Sequence, residues 1–310
     1  MISKRALLKY TMRFVQVGDS HRLNEEAFIR GCILFGIEYN KVHSVSDISG
    51  QPDLIWSTGF WIDPALFSNT KFMFGPQFFV FPTKDGPLAI YNKGSVADRC
   101  LYNCLSEWNL RIHNAFLSNP VVPYACLPFG VDTESMKPNP KIQKKEHILI
   151  YWKLRDSANM QHVVDVLITN KLNFKVVKYG FYTTYEYHKL LLESKLCIWL
   201  GRHEYQGFAF QEALSYNVPL LVYDVLDMKE EVNDHNVSVY ASYDRISLPA
   251  TSAAFWHPIC GEKTTNPKDI EPLLKKMMGG LDKYRPREFV ERELSDKVCF
   301  KRMLDRFGFS

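Results

Sequence analysis

No two glycines in this 310-residue sequence stand two positions apart, and no G-x-x-x-x-G-K-[ST] run occurs. The first absence removes the dinucleotide-binding turn G-x-G-x-x-G, and the second removes a P-loop. No two aspartates are two positions apart, so a D-x-D metal clamp is missing as well. H-E-x-x-H and G-x-S-x-G are absent, which argues against zinc proteases and serine hydrolases. The seven cysteines are odd in number and form no C-x-x-C pair. Several stand in apolar strings such as Lys195–Trp199, so they read as buried, reduced thiols of a cytoplasmic protein. There is no run of five Lys or Arg, and the net charge is only +4. That balance is too mild for a nucleic-acid groove, and no nucleic-acid partner is expected. No apolar stretch approaches the roughly 20 residues that cross a bilayer. The start carries Lys4, Arg5, Lys9 and Arg13 without the apolar core of a signal peptide. It supports at most a peripheral contact with anionic membrane. Asn236-Val-Ser238 fits a glycosylation sequon and is read as chance.

The length exceeds the roughly 100–200 residues of one domain, so two domains are expected. Phe14–Val17 reads as a buried strand closed by Gly18, Asp19 and Ser20. Asn24 is the expected cap of a helix with Phe28, Ile29, Cys32 and Ile33 on one face. Strands are expected near Ile37–Val42, Asp53–Ser57, Lys71–Phe74 and Phe78–Phe81. Apolar, unalternating strands separated by helices are the pattern of a parallel sheet covered on both faces. The texture changes at Pro120, Pro123, Pro128, Pro138 and Pro140, where the boundary is placed. Beyond it the alternation restarts with strands at His147–Tyr151, Phe174–Lys178, Leu196–Leu200 and Val218–Tyr223. The helices between them are Ala158–Thr169, Thr184–Glu193 and Phe208–Tyr216, giving a second doubly wound sheet. A last helix begins about Ser295, its N-cap. The expected division is 1–126, 127–285 and a closing helical segment, 286–310.

The informative stretch runs from Leu200 to Asp224. Glu204 and Glu212 are separated by seven residues, with Gly207 between them where a loop enters a helix. A strand's carboxyl end, a glycine loop and a helix N-terminus together make an anion site. Gly207 lets backbone approach a diphosphate closely, and the amides of Phe208 and Ala209 follow it. Glu212, one turn into the helix, is placed to accept bonds from two ribose hydroxyls. Glu204 is placed to meet hydroxyls of a transferred sugar.

Glu204 to Val222 resembles the E-x7-E segment of retaining GT-B enzymes, chiefly glycosyltransferase family 4, in the form E-x-Q-G-x-A-x-x-E-A-L followed by N-V-P-L-L-V. Leu127-Pro-Phe-Gly-Val-Asp-Thr133 with Pro138 resembles the segment joining the two domains of that family. Gly180 and Tyr182 fall where its base-binding loop lies. The resemblance covers Leu127 to Val225. It implies two Rossmann-like domains facing a cleft, the second holding the donor, with the C-terminal helix packing back on the first. It also implies transfer of a sugar from a nucleoside-diphosphate sugar to a hydroxyl of a glycan or other acceptor, with retention, without metal and without a cofactor. The family's G-R…K-G is not present as such. Tyr151-Trp152-Lys153-Leu154-Arg155 occupies its place, making Lys153 and Arg155 the expected diphosphate cations.

His203 reads equally as an orienting partner of Glu204 or as a structural histidine. Gly18 and Asp19, with Ser20 and His21, read either as a simple turn or as a loop facing the donor phosphates. Phe255 and Trp256, with Cys260 and Gly261 in a loop after the second sheet, are assigned to packing, and Ser106–Asn109 to structure. Two other activities fit the same fold. One is a sugar-nucleotide 2-epimerase, the other a non-catalytic carbohydrate- or nucleotide-binding module.

Overall fold

The computed structural model describes residues 11–76, 90, 98–116, 120–145, 147–227 and 249–309. The strand expected at Phe78–Phe81, the sequon at Asn236 and the basic residues up to Lys9 lie outside them. Among the described residues the chain forms two parallel sheets. The first contains β1 (Arg13–Val17), β2 (Glu38–Val42), β3 (Leu54–Ser57), β4 (Lys71–Phe74), β5 (Cys100–Cys104) and β6 (Tyr124–Cys126), in the order β2-β1-β3-β4-β5-β6. Helix α1 (Arg22–Phe35) links β1 to β2, and α2 (Glu107–Phe116) links β5 to β6.

The second sheet contains β7 (His147–Trp152), β8 (Asn173–Lys178), β9 (Leu196–Leu200), β10 (Leu220–Tyr223) and β11 (Gly261–Thr264), in the order β11-β10-β9-β7-β8. Its helices are α3 (Ser157–Thr169), α4 (Thr184–Glu193), α5 (Phe208–Ser215) and α6 (Ile270–Met278). Two more, α7 (Pro286–Glu293) and α8 (Asp296–Phe307), close the chain. In each sheet the first strand sits between the second and third, so the chain winds away from it in opposite directions. The crevice at the carboxyl end of that strand is where such sheets take ligands.

Local chemistry explains the departures from expectation. Helix α1 starts before Asn24 because His21 caps it, its Nδ1 accepting the Leu23 N–H at 3.3 Å. Asn24 is buried instead. Phe255–Gly261 does not follow the second sheet but leads into its fifth strand. Gly261 opens β11 with φ +145°, and a Cβ there would lie 1.9 Å from the Leu220 carbonyl oxygen, so only glycine fits. Asn217 ends the α5 turn in the left-handed region at φ 56°, a conformation asparagine tolerates.

Helix α8 leaves the second sheet and packs on α1. Phe300, Met303, Leu304 and Phe307 share one buried cluster with Phe14, Phe28, Leu54 and Trp56 of the first sheet and its helix. Arg30 forks onto Asp296, with Nε to Oδ2 at 2.6 Å and Nη2 to Oδ1 at 3.0 Å. No helix among the described residues is long and apolar enough to cross a membrane.

Gly31 lies where a Cβ would sit 1.9 Å from the Phe300 ring. Gly31→Ala gains about 0.5–1 kcal/mol of helix propensity but overpacks the contact at a cost of about 1–3 kcal/mol. The expected outcome is a net loss of about 1–2 kcal/mol, read as a lower denaturant midpoint at unchanged slope.

Candidate functional site

The switch point of the second sheet lies between β7 and β9. Lys153 follows β7 and continues its ladder, its N–H donating to Leu200 O at 2.9 Å. The next residue, Leu154, is left-handed at φ 51°, a strain of about 1–2 kcal/mol for a residue with a side chain. This turn separates two cations. Lys153 Nζ meets Glu204 Oε1 at 2.5 Å and lies 4.6 Å from the centre of the Tyr179 ring. Arg155 turns inward, donating to Gly201 O at 3.2 Å and Tyr223 O at 2.9 Å, with its guanidinium over the Tyr223 ring. Lys153 is thus brought to Glu204, whereas Arg155 braces the strand ends beneath the loop.

The loop between β9 and α5 is held from three sides. The Glu204 N–H donates to Thr251 O at 3.0 Å, and Glu204 O accepts from Trp108 Nε1 of α2 at 2.7 Å. Gln206 accepts from Phe129 N at 2.9 Å and donates to Phe129 O at 2.5 Å, in the segment between the sheets. Asp224, at the end of β10, accepts from the Thr251 hydroxyl and from the amide and hydroxyl of Ser252, fixing the segment that meets Glu204. Gly207 then turns at φ 79° and starts α5 with no side-chain cap, leaving first-turn amides of Phe208 and Ala209 at the helix's positive end.

Glu212 is buried within α5, and its Oε2 accepts from His188 Nε2 of α4 at 3.1 Å. Tyr182 pairs its hydroxyl with that of Tyr151 at 3.1 Å. The Tyr151 ring stacks on Trp199 at 4.0 Å, which gives the site an aromatic floor. Gly180 turns the chain before Tyr182 at φ +82°, with nothing within 4 Å of its missing side chain. Burial, and then the charges of Glu212, Tyr179 and Glu204, raise the Tyr182 hydroxyl above its usual range.

The first domain meets this site through the loop after β1. Gly18 turns at φ +82°. Asp19 is held by Lys41 at 2.7 Å, and its carbonyl accepts from Thr58. His21 stacks on Phe208 at 6.2 Å and 9° between planes, so the two loops face each other. Desolvation is the largest cause holding the His21 imidazole below its ordinary pKa, with the charges of Arg22 and Lys153 adding to it. His203 is buried and lies edge-on to Trp108 at 5.7 Å. Burial, followed by the charges of Arg202 and Lys153, pushes it well below 6.5, so it is a neutral ring.

Of the residues singled out in the sequence, Lys153 meets Glu204, Gly207 opens the helix that carries Phe208, Ala209 and Glu212, and Tyr182 pairs with Tyr151. His188, Trp108 and Tyr151 were not singled out. Trp108 lies in the Ser106–Asn109 segment assigned to structure alone, yet its indole holds the Glu204 loop. No local motif announces these residues, because each contact joins elements far apart in sequence.

His203 gives the fold a pH dependence of known sign. It is held below its unfolded value by burial, so the unfolded chain takes up this proton first as pH falls through about 6.5. Stability therefore drops from pH 7 to pH 5, by about 1.4 kcal/mol for each unit in which only the unfolded histidine is protonated. His203→Phe, which keeps a ring beside Trp108, is expected to flatten that fall in urea titrations at each pH. An unchanged slope means that His203 is not held neutral.

No protein-family model matches the sequence, and no curated protein matches it. Solved structures do. The apo form of the lipopolysaccharide outer core galactosyltransferase WaaB matches with a TM-score of 0.55 at 12% identity, covering 96% of this chain and 99% of that one. AviGT4, a glycosyltransferase involved in avilamycin A biosynthesis, gives 0.56 at 10% identity over 96% of this chain and 97% of its own. Anabaena HepE in complex with UDP gives 0.50 at 8% identity, covering 97% and 100%. The order of the two sheets, the returning α8 and these likenesses together identify the fold as GT-B.

Proposed function

We propose that this protein transfers a sugar from a nucleoside-diphosphate sugar to a hydroxyl of a glycan or other acceptor, with retention and without metal. The observation that carries the reading is the set of groups at the β7–β9 switch point. There Lys153 pairs with Glu204, α5 starts without a side-chain cap, and Glu212 of that helix pairs with His188. In this reading Glu212 receives the ribose and Tyr182 lies beside the base. The amides after Gly207, with Lys153, stabilise charge growing on the departing diphosphate, a kind of contribution commonly large in catalysis. The Lys153–Glu204 bond exchanges partners when the donor arrives, the ammonium turning to phosphate and the carboxylate to sugar hydroxyls. Gly18 and Asp19 face the phosphates from the other side of the cleft. The glycosyltransferases that share the fold, and the UDP held by HepE, support a nucleotide-sugar donor. Seven free cysteines, six of them buried, suit a cytoplasmic enzyme.

The test is a thermal-shift panel of UDP, GDP, ADP and their common sugar conjugates, without metal, on wild type and Glu212→Ala. A ligand at 100 times its dissociation constant adds about 2.7 kcal/mol of stability. One nucleotide is expected to shift the wild type, with the shift lost in the variant. With that donor, Glu204→Gln is expected to lower kcat by about 10²–10³, the scale of removing one charge-stabilising group. The anomeric configuration of the product, read by proton NMR, tests retention. Donor binding without any transfer would instead identify a binding module. Free 2-epimer formed in the absence of acceptor would identify an epimerase.

A further inference from the structure

The carboxylate of Glu212 is only 8% exposed, and among the described residues it pairs with His188. A buried carboxylate is costly unless its lone pairs are satisfied, and it has about four sites to fill. His188 Nε2 fills one at Oε2. Among the described residues Oε1 accepts no hydrogen bond. His188 is itself fixed. Its ring lies 5.2 Å from that of Tyr216 on α5 and 6.2 Å from that of Tyr187 on α4. Tyr187 in turn donates its hydroxyl to Ala209 O at the start of α5, locking the two helices in register.

A carboxylate held at one oxygen by His188 keeps the other as an acceptor, and its charge is felt at the Tyr182 hydroxyl. We propose that His188 is the positioning residue that aims Glu212 at the ribose hydroxyls, so that the site selects ribonucleotides over 2′-deoxyribonucleotides. This rests on the nucleotide-donor reading above. His188 acts through Glu212 and touches neither the phosphates nor the sugar being transferred. Its loss removes the benefit of the hydroxyl rather than the site.

The experiment is a cycle between one side chain and one ligand hydroxyl. Dissociation constants of UDP, GDP and ADP, and of their 2′-deoxy counterparts, are measured by calorimetry on the full chain. The proteins are wild type, His188→Leu, His188→Asn and His188→Gln. Wild type is expected to prefer the ribonucleotide by at least about tenfold, the worth of a hydrogen bond to a charged group. His188→Leu is expected to bring the preference within about threefold by weakening the ribonucleotide alone. His188→Asn, whose shorter amide does not reach Glu212, gives the same result if the leucine variant fails to fold. His188→Gln places an amide nitrogen near the position of Nε2 and is expected to keep the preference.

Equal weakening of both nucleotides in the leucine or asparagine variant would assign His188 a purely structural role and overturn the proposal. A wild-type protein that binds nucleotides without ribose preference overturns it too, while leaving the donor site standing. Binding of no nucleotide to the wild type overturns both readings.

Discussion

Gln206 takes hold of both hydrogen-bonding groups of a single residue, Phe129, and the site depends on that grip. A side-chain amide offers an acceptor and a donor in one plane, so it can substitute for a strand edge at one position. Each bond adds only about 0.5–1.5 kcal/mol net, but leaving either group buried and unmade costs about 1–3 kcal/mol. Gln206 is 2% exposed, so water cannot replace it. The amide nitrogen also reaches Gln211 Oε1, and Gln211 returns a bond to the Gln206 carbonyl. The loop carrying Glu204 is thereby fixed to the segment between the sheets on one side and to its own helix on the other. Trp108 adds an anchor from the first domain. The position of Glu204 is set by three separate parts of the chain: the backbone of Phe129, the backbone of Thr251 and the indole of Trp108.

Charge is treated differently at this crevice from elsewhere on the molecule. Some ion pairs are exposed at both partners, such as Arg22 with Glu26 or Lys275 with Glu271, and water screens them. Lys153 and Glu204 are each 11% exposed. Taking such a pair out of water costs several kcal/mol per ion, which their attraction barely repays. Apolar side chains of the same size would hold the strand ends together as well. Charges kept here, at the carboxyl edge of a parallel sheet, are suited to an exchange of partners with an incoming charged ligand. Arg155 illustrates the contrast. Its Nη1 donates to the carbonyl oxygens of both Gly201 and Tyr223, and so ties the two strand ends together.

The parts legible in sequence were those whose meaning is local. The E-x7-E spacing and Gly207 lie within nine residues, and the apolar runs of β7, β9 and β10 announce buried parallel strands. Strand β5 was not read because Asn103 interrupts it, and that asparagine is buried for a reason no window reveals. It donates to Leu127 O and accepts from Leu127 N, at the chain's exit from the first sheet. Strand β11 was missed because Gly-Glu-Lys-Thr has no apolar run and earns its place only by pairing with β10. His188 and Trp108 were illegible for the same reason at greater range, their partners lying 24 and 96 residues away. Pattern reports what a segment buries. It cannot report which distant group a polar side chain will satisfy.

The two crossings between the sheets run side by side, and this limits how the cleft can open. The outgoing segment pairs with the return at Val131 and Ser295 in a parallel bridge, with Val131 N donating to Leu294 O at 2.9 Å and Asp296 N to Val131 O at 3.3 Å. The crossings can touch because Gly130 lacks a side chain, since a Cβ there would lie 2.3 Å from the Asp296 Cα. Arg287 ties the same region to α5 through Thr133 O, Met136 O and Ser215 O. The seam, the Arg30–Asp296 fork and the Trp108 bond to Glu204 thus tie the two sheets together at separate places. His21 and Phe208 face each other across the opening. Glu204 is held from both sides of that opening, by Gln206 through Phe129 and by Trp108 of the first sheet, so its position depends on how the two sheets are set against each other.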